Sequence, residues 1–392
     1  MHRKKILFLL YSMNVGGVEK SLLGLLSAID LTQYDVHVAL AHKQGGFFAM
    51  LPKEVTIHQI DCIANNWQAL QRPPLETLRR KLFAEGVTWT LIKLALAYIY
   101  SKLNKNSYFW MEALMEHESD IEGTFDLAVA YAGPTFDIDF VTCNKVKATN
   151  KVGWIHFDIS KFGIDKGMTA QLYKGYKRIF IVSEAGKEIF DKTFPQFKQK
   201  TEVFHNIVSP LQVRQLAEEG DAFTDSFEGK RILTVGRISP EKGQRVAIKA
   251  LKSVRENGHN VRWYFVGDGK DMENCKADIK ALGLEDCVVF LGTQTNPYSY
   301  MRDCDIYVQP SRHEGFCITL AEALCFGSPV VATDFTGARE QLRSRENGFV
   351  VGMEASDIAQ GIIRALNAPR ADVNTSAIRN TASARQLLSL LD

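Results

Sequence analysis

Glu314 and Glu322 stand with seven residues between them in the stretch PSRHEGFCITLAEALCFGSPVVATD, 310–334. Gly315, Phe316 and Cys317 follow the first glutamate directly, and a helix is expected to begin near 316–318. A glycine brings backbone amides close to a ligand, and the unpaired N–H groups of a helix start attract phosphate. A carboxylate gains nothing from facing a phosphate, so each glutamate is read as an acceptor for hydroxyl groups. Phosphate beside a polyhydroxyl suggests a sugar nucleotide. An ordinary loop–helix–strand unit with two solvated glutamates is the plainer reading of this stretch alone. Upstream, Arg237 closes a strand at 231–235, and Lys242 follows Ser239-Pro240, a good N-cap and first-turn pair for a helix running to about Glu256. Both cations could face one anion, and two cations are the simplest metal-free way to stabilise a departing diphosphate. Two solvated basic residues is the alternative.

The first half offers two looser candidates. Gly16-Gly17 falls between an apolar strand, 5–11, and an amphipathic helix, 18–29, where Rossmann-like domains receive phosphates. It is not GxGxxG, and Glu19 stands where a P-loop needs glycine before its lysine. A strand–helix turn needing a positive φ explains it equally well. His156, in WIHFD, comes just past a strand at 151–155, on the side where parallel sheets place ligands. On position alone it is either a site residue or a structural histidine.

The elements that must position these groups alternate. Apolar strands at 5–11, 36–41, 55–60, 126–131, 151–155, 178–182 and 201–204 are separated by helical patterns. A second strand–helix series starts at 231 after the polar stretch 218–229. That rhythm predicts parallel α/β sheets, and 392 residues predict two domains. One segment breaks the rhythm. In 79–108, Trp89, Ile92, Leu96, Ile99 and Leu103 recur at helical spacing. Leu91, Leu94, Tyr98 and Tyr100 make further faces apolar, and Arg79, Arg80, Lys81, Lys93, Lys102 and Lys105 punctuate the run. It is either a helix buried against the first domain with snorkelling lysines, or a face held on an anionic membrane.

Composition narrows the classes. An apolar fraction of 46% with 23% charged residues is that of a soluble globular protein, and a net charge of +2 predicts no nucleic-acid partner. Seven scattered cysteines without a CxxC pair argue for a reducing compartment and against structural zinc. The N-terminal HRKKILFLLY is read as a first strand feeding a glycine loop rather than a signal peptide. The expected location is cytoplasmic, or at the inner face of the cell membrane.

Taken in order, VGRISPEKG (235–243), FVGDG (265–269), FLG (290–292), the 310–334 stretch and GARE…NGFVV (337–351) resemble the retaining glycosyltransferases of family 4. GGVEK (16–20) and WIHFD (154–158) match more loosely. The resemblance implies a GT-B fold, two Rossmann-like α/β domains facing a cleft. Residues 1–206 would form the acceptor side, 207–375 the nucleotide-sugar side, and 376–392 a helix crossing back. It implies that Arg237 and Lys242 hold the donor diphosphate. Glu314, with the backbone of Gly315, Phe316 and Cys317, would contact the sugar, and Glu322 the ribose. Gly16 and Gly17 would close over the phosphates, and His156 would sit beside the transferred sugar. The leaving phosphate would help deprotonate the acceptor, and no cofactor or divalent metal would be required. Asp303-Cys304-Asp305 formally matches a metal-binding DxD, but Asp305 is read as bounding a strand; Asp137-Ile138-Asp139 is weaker still. The expected function is transfer of a hexose-type sugar, from a UDP-sugar by preference, to a glycan or lipid-linked glycan in cell-surface polysaccharide synthesis. A sugar-nucleotide epimerase and a non-catalytic partner subunit are the alternatives.

Overall fold

The computed structural model describes residues 3–161, 163–372 and 380–391. The chain divides into two compact units: 1–182 with 186–205 and 381–392, and 183–185 with 206–380.

The first unit opens with β1 (Lys4–Leu10), which is buried from Ile6 onward, as expected of a strand covered on both faces. α1 (Gly17–Ala28) follows, burying Leu22, Leu25 and Leu26. Next come β2 (Tyr34–Leu40), β3 (Thr56–Gln59), α2 (Asp61–Leu70), α3 (Pro74–Glu85), α4 (Trp89–Asn104) and α5 (Tyr108–Leu114). β4 (Thr124–Gly133), α6 (Phe136–Asn144), β5 (Lys147–Ile155), α7 (Lys166–Tyr173), β6 (Arg178–Ile181), α8 (Glu184–Thr193) and β7 (Thr201–Val203) complete the series. The sheet order is β3-β2-β1-β4-β5-β6-β7 with parallel pairing throughout.

The second unit runs α9 (Pro210–Glu218), β8 (Lys230–Val235), α10 (Gln244–Glu256), β9 (Val261–Val266), α11 (Met272–Leu282), β10 (Val288–Phe290), α12 (Tyr298–Asp303) and β11 (Ile306–Gln309). It continues with α13 (Ile318–Ala323), β12 (Val330–Thr333), α14 (Ala338–Leu342), β13 (Gly348–Val351) and α15 (Ala355–Leu366). Its parallel sheet has the order β10-β9-β8-β11-β12-β13. In both units the order reverses beside the first strand, between β1 and β4 and between β8 and β11. That reversal opens the crevice where such sheets bind ligands.

The C-terminal α16 (Asn380–Leu388) packs with the first unit. Gln386 donates to Glu202 at 3.0 Å, and the Leu390 carbonyl accepts from Asn150 at 2.8 Å. The expected domain boundary near 375 lies outside the described residues.

Three sequence expectations are corrected. The 79–108 segment is not one helix, because Gly86 (φ 69°) ends α3 and Lys105 (φ 50°) ends α4, both in left-handed conformations. Its buried stripe is Leu91, Leu94 and Ser101. The stripe Trp89, Leu96, Ile99 and Leu103 is exposed, with Trp89 at 86% and Leu103 at 77%. Leu96 and Tyr98 are ~200° apart around the helix, so one face buries while the other is left open. Finally, Ser239 makes no side-chain cap; Pro240–Lys242 is a separate 3-10 turn, and α10 starts only after Gly243.

Candidate functional site

In the second unit the two loops at the crevice are locked backbone to backbone. The Arg312 amide donates to the Glu241 carbonyl at 2.8 Å, tying the turn after β8 to the loop after β11. Gly243 (φ +74°) lies so close to that loop that a Cβ there would be 2.0 Å from the Pro310 oxygen. A Cβ at Gly267 (φ +138°) would likewise be 2.1 Å from the Gly236 oxygen, so the loop after β9 joins the same cluster. Glycine is required at both positions.

This framework sets Lys242 against Glu314, with Nζ 2.6 Å from Oε1. Ser311 donates to the same oxygen at 2.7 Å. Gln309 Nε2 donates to Ser311, Tyr307 donates to Gln309 Oε1 at 2.8 Å, and Thr319 donates to it at 3.2 Å. Glu314 is therefore held by a chain of buried hydrogen bonds reaching into β11. Burial opposes the charge on Lys242, but Glu314 outweighs it and the lysine pKa ends raised. Arg237 sits at the tip of β8 with its side chain exposed, and its carbonyl accepts from Gln244 Nε2.

Gly315, Phe316 and Cys317 lead into α13. Gln341 of α14 donates to the Phe316 carbonyl, fixing this loop from behind. Cys317 takes φ +66°, a left-handed conformation for a residue with a Cβ, at the entry to a six-residue helix. Its thiol is buried, which pushes its pKa up, and lies 3.5 Å from the Thr319 hydroxyl. Glu322 is 2% exposed, and its Oε1 accepts from Tyr298 at 2.8 Å.

In the first unit, Gly16 caps α1 with extended backbone (φ −153°), and neither Gly16 nor Gly17 has a positive φ. The reading of a turn that needs one is thereby corrected. A Cβ on Gly16 would meet the Glu19 carboxylate at 2.5 Å, whereas Gly17 has open space. Met13 exchanges backbone hydrogen bonds with Gln44 and Phe47, so the loop after β2 braces this turn. His156 lies beyond β5 among Tyr131 and Trp154, with ring centroids 4.7 Å and 6.0 Å away. Burial, against a hydrogen bond that the ring donates to the Tyr131 backbone, pulls its pKa down to about 3, and its Nε2 has no hydrogen-bond partner. It is a neutral imidazole near neutral pH.

The structure thus gathers Lys242 and Glu314 with the Gly315–Cys317 loop, and places Arg237 at the tip of β8. Sequence reasoning missed Ser311, Gln309 and Tyr298, whose roles arise only from side-chain pairing across loops. It also did not foresee the tyrosine partners of Asp137 and Asp139. Tyr11 donates to Asp137; Tyr176 and Tyr173 donate to Asp139, whose pKa burial raises to about 7. Neither aspartate is poised as a metal ligand. Asp303 pairs with Arg302, while Asp305 takes Lys230 and the Arg231 amide at the strand edge. Among the described residues no cluster of three His, Cys, Asp or Glu could hold a metal.

A family model described as "Glycosyl transferases group 1" matches residues 222–383. Over 352 residues the chain is 26% identical to the N-acetylgalactosamine-N,N'-diacetylbacillosaminyl-diphospho-undecaprenol 4-alpha-N-acetylgalactosaminyltransferase of Campylobacter jejuni, covering 90% of this chain and 87% of that protein. It is 32% identical over 177 residues to an uncharacterized glycosyltransferase of Methanocaldococcus jannaschii, a match that spans 43% of either chain. Among solved structures, HepE of Anabaena in complex with UDP and glucose superposes with a TM-score of 0.64 at 20% identity, covering 100% of this chain and 97% of HepE. TarM of S. aureus, in a complex containing UDP, gives 0.64 at 15% identity over 99% of this chain and 100% of TarM. The matched region contains Arg237, Lys242 and Glu314, and these findings together support a glycosyltransferase of the GT-B fold.

Proposed function

We propose that the protein is a retaining, metal-independent glycosyltransferase of family 4 that moves a hexose-type sugar from a nucleotide-sugar donor, a UDP-sugar by preference, to a lipid-linked glycan. The observation that carries this reading is the Lys242–Glu314 pair at the crevice between β8 and β11. A lysine already desolvated and held by a carboxylate is preorganised for an anion. Donor diphosphate would draw Lys242 toward itself, with exposed Arg237 as the second cation. Glu314, still fixed by Ser311, would then turn its free capacity to the sugar hydroxyls. Gly315, Phe316 and Cys317 would offer backbone to the sugar, and Glu322 its carboxylate to the ribose. Gly16 and Gly17 would meet the phosphates from the first unit. His156, neutral and with a buried, unpartnered Nε2, would hydrogen-bond a sugar hydroxyl without donating a proton to the leaving group.

The acceptor class rests on α3 and α4. Of the fourteen exposed large apolar side chains among the described residues, ten fall between Leu75 and Leu103. Residues 72–105 also carry seven Lys or Arg against two Glu. Arg72 and Arg80 pair with Glu76, Lys93 pairs with Glu116, and Lys102 stands over the Tyr98 ring; Arg79 and Lys105 belong to the same segment. Each cation near an anionic surface adds about 1 kcal/mol. No helix among the described residues is long and apolar enough to cross a membrane, so the contact would be peripheral, at the inner face of the cell membrane. The relative from Campylobacter acts, by its name, on a diphospho-undecaprenol-linked glycan, which fits an acceptor presented at such a surface.

The test is a panel of UDP-, GDP- and ADP-sugars, read by thermal shift and by sugar transfer to lipid-linked oligosaccharide. A UDP-sugar should raise the unfolding temperature and be consumed. No stabilisation and no transfer from any donor, with Glu314→Gln indistinguishable from the wild type, would refute the reading.

A further inference from the structure

Beside the exposed stripe of α4 lies a groove of about 870 Å³ that the donor chemistry does not use. One wall is Leu96, Tyr100 and Leu103 of α4, and the other is Tyr108, Phe109 and Ala113 of α5. Tyr100 and Phe109 meet edge to face at 4.5 Å, and Tyr108 rests on Phe140 at 5.4 Å, so the walls are braced. The charged groups of the lining are Lys93, Glu112, Glu116 and Lys145; Lys93 reaches Glu116, and Lys145 donates to the Glu118 carbonyl. Leu96 and Leu103 belong both to the groove and to the exposed face, so the apolar surface runs unbroken from outside into the groove.

We infer that this groove binds one hydrocarbon chain of the membrane lipid that carries the acceptor; the inference rests on the lipid-linked reading above. The volume is that of a small-molecule site, and apolar walls with charged groups in the lining suit an amphiphile. The chain would enter along the Leu96–Leu103 side from the lipid surface on which α3 and α4 lie, its anionic head among the cations of 79–105. A chain held this way would anchor the acceptor to the first unit before its sugar is extended.

The experiment titrates the full-length protein, without detergent or vesicles, with cis-parinaric acid, a fluorescent fatty acid. Ala113→Trp and Ala97→Trp fill the groove from opposite walls. Each should weaken probe binding by about tenfold or more while leaving binding to phosphatidylcholine–phosphatidylglycerol vesicles within twofold. In the wild type, dodecyl phosphate should displace the probe and butyl phosphate should not, a comparison that depends on no variant folding. Probe affinity unchanged in both variants, or equal displacement by the two phosphates, would overturn the inference. A dimer formed without lipid and dissolved by Ala113→Trp would place a second copy of the chain in the groove and also overturn it. Loss of sugar transfer with this probe behaviour intact would refute the proposed activity and leave the groove's ligand class supported.

Discussion

The two units share the order of their first six strands, with β7 added in the first, but differ in chemistry at the crevice. Beside β8 and β11 the chain gathers charge: Lys242 on Glu314, Arg237 exposed, and a hydrogen-bond chain beneath. Beside β1 and β4 it gathers aromatic rings and hydroxyls: His156 among rings, Ser21 on Tyr131, and two buried aspartates that accept from tyrosines. A diphosphate needs fixed positive charge, whereas a sugar-bearing acceptor needs shape and hydrogen bonds without a competing proton donor. One topology thus carries different groups at its strand tips in the two units.

The sharpest test removes the charge from one side only. Lys242→Met or Glu314→Gln should lower kcat/KM for sugar transfer by about 100- to 1000-fold, the range seen when a charge-stabilising donor is lost. The double variant should lose far less than the product of the two, because the residues form one unit. His156→Gln should lower transfer by a smaller factor, since a neutral hydrogen-bonding partner remains. Equal losses at His156 and Lys242 would break the comparison.

The second test concerns stability. Gly243→Ala strains a left-handed residue, costing about 1–3 kcal/mol before the collision with the Pro310 oxygen is counted. Urea unfolding should show this loss. Gly17→Ala, facing open space with no positive φ, should change stability much less.

A third, smaller effect concerns pH. His156, with its pKa drawn from 6.5 to about 3, contributes stability present above 6.5 and lost as pH falls below it. Asp139, raised from 3.8 to about 7, contributes stability present below 3.8 and lost as pH rises through 7. Between about pH 4 and 6.5 the two slopes oppose. Urea midpoints of Asp139→Asn should therefore fall more steeply on acidification than those of the wild type, and those of His156→Gln more steeply on neutralisation. The least perturbing change is on the outer face. Trp89→Ser with Leu96→Ser should weaken vesicle binding about tenfold, measured by cosedimentation, without altering the unfolding temperature appreciably.

Much of the second unit was legible. Arg237, Lys242 and Glu314 stood out in the sequence because charge and spacing are local signals, whereas the left-handed turn at Gly243 did not. Ser311, Gln309 and Tyr298 did not, because hydrogen-bonding side chains acquire roles from what folds against them. The helical boundaries failed where propensity was overridden: Gly243 in a left-handed conformation stops the Pro240 turn from continuing into α10. Periodicity correctly marked the apolar stripe of α4, yet it carries no sign for which face is covered. Leu91 and Leu94 went inward, and Trp89 and Leu103 did not.

Cys317 bears on how the loop before α13 can change. Its left-handed backbone favours glycine, and cysteine and glycine codons differ by a single base. A less strained though more flexible loop therefore lies one mutational step away, at the loss of a small buried thiol. Selection for heat-resistant variants would be expected to find Cys317→Gly early, and any accompanying change in turnover would reveal whether this loop must yield during each catalytic cycle.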